Sequence, residues 1–247
     1  VYADKIRNEC ISAGIDISHI LKVEDHASST YISVLDENGD MFVALSDMSV
    51  LQKMTVDFIH SKSSIIKGSR LITCDPALHP DVMEEILNLY SDTIPVFVDP
   101  VSCAYAETIV DFIGKFHTAK PNILETEILS GMKIKSKKDL YKAAEKILDK
   151  GLKRIFISLG ADGCLYMDRE GKHIERKLAP VEHMVNATGA GDAFMAAVIY
   201  SYINAFTLDK TLDYGLAAGI AAISHEKTIN PNMSVSLIEN ILKERKI

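Results

Sequence analysis

Asn186-Ala187-Thr188-Gly189-Ala190-Gly191-Asp192-Ala193-Phe194-Met195-Ala196-Ala197 is the stretch on which the reading of this 247-residue chain turns. Small residues come first, then one carboxylate, then an apolar run through Val198, Ile199 and Tyr200. No glycine or proline interrupts Ala193 to Phe206, which predicts a mostly buried helix with Thr188 to Gly191 as the turn into it. Side chains this small leave backbone N–H groups accessible, and the positive end of a helix attracts anions. Asp192 falls in the same first turn. A carboxylate beside an oxyanion pocket can take a proton from a hydroxyl while the pocket holds a phosphoryl group. The plainer alternative is a glycine-rich turn in which Asp192 only charge-stabilises the helix start.

Outward from this stretch the chain alternates between strand and helix patterns. Tyr2 to Gly14 predicts a helix. Thr30 to Leu35 alternates with period two, Asp36-Glu37-Asn38-Gly39-Asp40 is a turn, and Met41 to Leu45 returns, predicting a hairpin. It reads either as an edge hairpin or, over about 28–48, as a small sheet projecting from the main domain. Strands are predicted at 70–74, 95–99, 118–121 and 154–159, with a hairpin around Arg169-Glu170-Gly171. Helices are predicted at Pro80 to Tyr90, Ala104 to Phe116, Leu124 to Leu129, Lys138 to Lys150, 193–206, about 209–225 and about 235–245. Strands separated by helices mean an α/β fold, a mostly parallel sheet sandwiched by helices, in one domain over 1–247.

Ligands of such sheets bind at the carboxyl ends of the strands. Four positions fall there: Asp99 to Ser102, Asn122 to Glu125, Ser158 to Gly163, and the Gly189–Asp192 turn. Asn122 and Glu125 also fit an N-cap with its third helical residue. Gly160 and Gly163 also fit a tight turn. The small-residue run Ala217 to Ala222 reads as close helix–sheet packing, and His183 and His225 as surface or capping residues.

A net charge of −7 argues against a broad nucleic-acid surface. Apolar stretches near 193–203 and 216–223 are too short or too interrupted to span a bilayer, and no signal peptide is evident. Cys10, Cys74, Cys103 and Cys164 are widely scattered and suggest neither a metal cage nor a disulfide framework, which fits a cytoplasmic protein. No G-x-G-x-x-G follows an early strand, so a dinucleotide-dependent oxidoreductase is disfavoured.

The Asn186–Asp192 stretch resembles the signature of the ribokinase-like (PfkB-type) carbohydrate and nucleoside kinases, and Asn122 to Glu125 and Ser158 to Gly163 precede it in the family's order. The resemblance covers nearly all of residues 4–247. It implies a ribokinase-like fold whose hairpin is a lid over the sugar and a candidate homodimer surface. It implies an ATP- and Mg²⁺-dependent kinase acting on a small-molecule sugar or nucleoside. Asp192 would be the catalytic base, and Gly189, Ala190 and Gly191 would supply amides to the transferring group. Asn122, Ser158, Gly160, Gly163 and Thr188 would face the nucleotide, and Glu125 would hold Mg²⁺ through water. Asn230-Pro231-Asn232 would flank the adenine. Thr30 to Asp36, Ala44 to Met48, Asp99 to Ser102 and Val185 to Gly189 look most like the pseudouridine-kinase branch, which phosphorylates a 5′-hydroxyl. Ser46, Asp47 and Ser102 would then meet the substrate; ribose or fructose is the alternative acceptor. Two departures stand out: Asn186 replaces the aspartate usual in ribokinases, which argues against strong potassium dependence, and Tyr105 replaces a lysine of that branch. The family's first strand and Gly-Gly-Asn sugar segment are not in the sequence. An N-terminally incomplete chain is therefore expected, and a non-catalytic nucleotide-binding remnant is the competing reading.

Overall fold

The computed structural model describes residues 2–35, 41–178, 185 and 188–245. They form two compact units, 1–69 with 77–89 and 70–76 with 90–247. The first unit contains α1 (Tyr2–Ser12), β1 (Thr30–Leu35), β2 (Met41–Asp47), α2 (Val56–Ser61), α3 (Ser63–Lys67) and nearly all of α4 (Pro80–Tyr90). Helix α1 forms where predicted but buries no residue. Strands β1 and β2 pair antiparallel, with Ile32 opposite Leu45 and Val34 opposite Val43. The expected Asn38-Gly39 turn lies outside the described residues. Thr55 caps α2 by accepting the Phe58 N–H at 3.2 Å. In α4, Val82, Met83, Ile86, Leu87 and Tyr90 are buried, as their helical spacing predicts.

The second unit is built on a six-stranded sheet, in the order β3 (Ile72–Cys74), β4 (Val96–Val98), β5 (Thr118–Ala119), β6 (Arg154–Ser158), β7 (Cys164–Asp168) and β8 (His173–Arg176). Pairing is parallel from β3 to β6 and antiparallel from β6 to β8. The helices are α5 (Cys103–Thr108), α6 (Ile123–Ser130), α7 (Lys137–Asp149), α8 (Ala190–Ile203), α9 (Leu208–Ile223) and α10 (Val235–Arg245).

Two predicted helices need correction. The helix expected over Ala104 to Phe116 stops at Thr108, and a 3-10 turn follows at Ile113–Lys115. A Cβ on Gly114 would lie 1.9 Å from the Lys150 carbonyl oxygen, so backbone packs directly on backbone there and tertiary contact overrides local propensity. Helix α8 begins three residues earlier than expected, at Ala190, and ends at Ile203. Ala205 then takes a left-handed φ of 53°, and Thr207 caps α9.

Successive strand residues point to opposite faces. On one face Phe156, Cys164 and Tyr166 pack with Phe194, Met195 and Val198 of α8 and Leu212 and Leu216 of α9. Ile155, Ile157 and Leu165 turn to the other, the side of α7, whose Leu140, Ala143, Ala144, Ile147 and Leu148 are buried. The run Ala217 to Ala222 was expected to pack on the sheet; Ala217 and Ala218 instead cluster with Ala197 of α8, Tyr214 of α9 and Ile238 of α10, a helix–helix contact.

His117, just before β5, stacks on Phe97 at 5.5 Å and meets Tyr202 edge-on. Burial, reinforced by Arg154 and Lys153, lowers its pKa from 6.5 to about 4. The unfolded chain therefore takes up this proton first. The stability His117 preserves is complete above its ordinary value and is lost as pH falls from about 6.5 toward about 4. Replacing His117 with Phe keeps an aromatic ring and removes the titration. Thermal melts should show the wild type losing more Tm than His117→Phe between about pH 7 and about pH 4.5; parallel curves would refute this.

Candidate active site

The parallel strands β4, β5 and β6 end side by side. Beyond β5 the ladder continues, with the Lys120 N–H donating to Val98 O at 3.1 Å and the Ser158 N–H donating to Pro121 O at 3.0 Å. An isolated parallel bridge pairs Asn122 with Ser158. The ladder thus carries Asp99, Lys120, Asn122 and Ser158 to one rim of the sheet.

Asn122 begins α6 with a complete capping box. The Glu125 N–H donates to Asn122 Oδ1 at 2.9 Å, and the Asn122 N–H donates back to Glu125 Oε2 at 2.8 Å. The Asn122 side-chain amide also donates to Glu125 Oε1 at 2.9 Å. Glu125 is buried, and burial first, then Asp99, raises its pKa, while the Asn122 bonds and Lys120 pull it down. The capping reading is therefore correct. Each carboxylate oxygen still keeps a lone pair beyond its one accepted bond, which suits a hydrated cation.

Helix α8 starts at Gly189, whose φ is 89° and which supplies no side-chain cap. A Cβ there would sit 2.4 Å from the Thr228 carbonyl oxygen, so the position accepts only glycine. The amides of Ala190, Gly191 and Asp192 occupy the first helical turn, where no intrahelical carbonyl is available. A Cβ on Gly191 would lie 3.4 Å from Lys120 Nζ. That ammonium is 3.0 Å from Asp99 Oδ2, with side-chain exposures of 4% and 17%.

The Asp192 side chain is exposed here, although its carboxyl is crowded enough by the surrounding protein to be partly desolvated. Burial raises its pKa most, Asp99 and Asp75 add to the rise, and Lys120 opposes it. Against the stabilising field of the helix start, burial and its acidic neighbours make it a stronger base than an ordinary aspartate.

Asp192, Gly189, Ala190, Gly191, Asn122, Glu125 and Ser158 thus gather at the strand ends. Thr188 is exposed immediately before them. Gly160 has a φ of 61° and open space around it, in the turn leaving β6. Gly163 is explained by packing, since a Cβ there would lie 1.9 Å from the Arg176 carbonyl oxygen. Ser102 caps α5 by accepting the Tyr105 N–H at 3.3 Å. Ser46 and Asp47 are exposed on β2 of the first unit, and Asp47 accepts the Ser49 N–H at 3.0 Å. Asn186, Ala187 and His183 lie outside the described residues. His225 accepts the Lys227 N–H, a capping role as read. Asn230 is buried and donates to Ala221 O at 2.8 Å, which ties the loop after α9 to that helix. A cavity of about 310 Å³ lined by Phe97, Arg154, Phe156 and Tyr202 lies at the opposite, amino-terminal ends of β5 and β6 and includes none of these residues.

Sequence reasoning missed Lys120, and Asp75 with it. The available signal was a lysine directly ahead of Pro121-Asn122 at a buried strand end.

The model of the pfkB family of carbohydrate kinases matches residues 1–234. The chain is 31% identical to pseudouridine kinase of Escherichia coli (strain K12) over 97% of its own length and 77% of that protein's. A 1-phosphofructokinase of Borreliella burgdorferi is 26% identical, with 87% of this chain and 66% of that one covered. The fold is similar to that of a ribokinase from Thermotoga maritima (TM-score 0.84, 19% identity, 98% of this chain and 77% of that one). It is similar too to an Arabidopsis thaliana ribokinase complexed with ribose and ATP (TM-score 0.83, 18% identity, 97% and 78%).

The loop between Asp99 and Ser102 is strained. The Ser102 N–H donates to Pro100 O at 2.7 Å, closing a γ-turn on Val101, whose φ is 64°. That conformation is rare for a β-branched residue and costs about 1–3 kcal/mol. Val101 is also solvent-exposed, so its side chain recovers little by packing. Val101→Gly should raise stability by up to about 1 kcal/mol, after the greater unfolded-state entropy of glycine is subtracted. Denaturant titration measures it; a destabilised variant would mean the turn is unstrained.

Proposed function

The chain belongs to the pfkB family of carbohydrate kinases, and we propose that it phosphorylates the 5′-hydroxyl of pseudouridine with ATP and Mg²⁺. The observation that carries the kinase chemistry is the position of Asp192, exposed on an uncapped helix start beside the Lys120–Asp99 pair. An elevated pKa suits a general base, because it can accept a hydroxyl proton as the bond to phosphorus forms. The amides of Ala190, Gly191 and Asp192 are oriented to bind negative charge. Asn122, Ser158 and Gly160 line the rim on which a nucleotide would lie, and Glu125 would orient water around a hydrated cation. ATP supplies the phosphoryl group and Mg²⁺ neutralises charge on its phosphates. The chain's own contribution is positioning, proton acceptance and electrostatic support.

The choice of acceptor is supported by the identity to pseudouridine kinase and by the segments containing Ser46, Asp47 and Ser102. All four cysteines are free, which favours a reducing compartment, the cytoplasm; among the described residues no helix is long and apolar enough to cross a membrane. Ile32, Val34, Val43 and Leu45 share one exposed face of the hairpin, and we assign that face to pairing with a second copy, which sedimentation tests.

A phosphorylation screen with pseudouridine, ribose, fructose and adenosine tests the acceptor. The expected order puts pseudouridine first in kcat/KM; an equal or higher value for ribose or fructose overturns the assignment. The catalytic assignment is tested by Asp192→Asn, nearly isosteric but unable to act as the base. It should lower kcat by roughly 10²–10⁴. ATP affinity should change little, because the anion-binding amides belong to the backbone. Near-wild-type single turnover, or joint loss of folding and ATP binding, would make Asp192 a structural helix-start residue.

A further inference from the structure

We infer that Lys120 is a positioning residue, its ammonium bonded to Asp99 and seated against Gly191 so that the loop after β4 is held to the first turn of α8. The inference rests on the kinase reading above for its consequence in turnover, but not for its physical content. A lysine only 4% exposed is unusual. Burying an ion pair costs desolvation that the mutual attraction barely repays, and an apolar pair of similar volume is often at least as stable. A buried Lys120–Asp99 pair is therefore poorly explained by stability alone.

Its surroundings supply the explanation. Asp75 comes from the end of β3, Asp99 from the end of β4, Glu125 from α6 and Asp192 from α8. Asp99 and Asp75 push the Asp192 carboxyl up, and Lys120 is the cation that counters them. Glu125 shows the same opposition between Asp99 and Lys120. The ammonium also lies close to Gly191, 3.4 Å from where a Cβ would stand, which places it against the first turn of α8. Lys120 thus acts through Asp99 and Asp192. It fixes the first, and it offsets part of the rise that the acidic neighbours impose on the second, which stays more basic than an ordinary aspartate.

The test uses the full chain and two readouts. One is carbon-13 NMR titration of the Asp192 carboxyl, assigned by its absence in Asp192→Asn. The other is the pH dependence of kcat/KM for ATP-driven phosphorylation of pseudouridine. Lys120→Met should move the Asp192 titration, and the acid limb of the rate profile, upward by about 1 pH unit or more. Turnover should fall on the acid side of the profile and recover as pH rises. Asp99→Asn should move both the other way, and Lys120→Met/Asp99→Asn should return them toward wild type. Lys120→Arg, which keeps the charge, should leave the acid limb close to wild type. Lys120→Gln serves in place of Met if that variant does not fold, with the same upward shift expected. An Asp192 titration that stays in place when the charge at 120 is removed overturns the proposal, whatever happens to activity. If no acceptor is phosphorylated by the wild type, the kinase reading fails, while the NMR titration still decides the role of Lys120.

Discussion

Helix α8 begins without a side-chain cap, and the chemistry of the strand ends depends on that omission. Helices α2, α5, α6, α7, α9 and α10 are capped by Thr55, Ser102, Asn122, Ser136, Thr207 and Ser234, each accepting an N–H from its own first turn. A cap of this kind contributes about 1 kcal/mol. At α8 the cap position is Gly189, held in a left-handed conformation by the close approach of Thr228. The helix instead draws its stability from burial of Phe194, Met195 and Val198 against the sheet. Its first amides are thereby left available to an anion, which a serine or asparagine cap would have occupied in part.

What was legible in the sequence is what local pattern determines. The alternation in β1, the helical spacing of α4 and the amphipathic stripe of α7 each appear in the structure within a few residues of where they were read. The Asn122–Glu125 capping box was legible for the same reason, since both partners lie within one turn. The early end of α5 was not legible, because it is imposed by the backbone of Gly114 meeting Lys150, distant in sequence. Gly163 was read as facing a nucleotide because it lies in a strand-end turn, yet its contact with Arg176 is made across the β7–β8 hairpin.

Lys120 escaped for a related reason. In sequence it is one lysine among several, ahead of a proline, and lysines are usually exposed. Only the parallel register of β4, β5 and β6 sets its side chain between Asp99 and the start of α8. Asp192 was recognised by its neighbours in the chain, but the sign of its perturbation was not, because helix-end electrostatics is local whereas burial and the fields of Asp75 and Asp99 are tertiary.

The departures from local consistency gather at one end of the sheet. Val101 in a left-handed γ-turn, a buried lysine, a buried glutamate and an uncapped helix start all lie at the carboxyl ends of the strands. At the amino-terminal end, by contrast, Phe97, His117 and Tyr202 form ordinary aromatic contacts. Strained and costly features of this kind are expected where function constrains the backbone. Of these, the Lys120–Asp99 pair acts on the Asp192 carboxyl, and the uncapped start leaves the amides beside it without side-chain partners from the cap. The rim therefore reads as one device, in which an oriented anion site and a basic carboxylate are held together by a cation that is itself costly to bury.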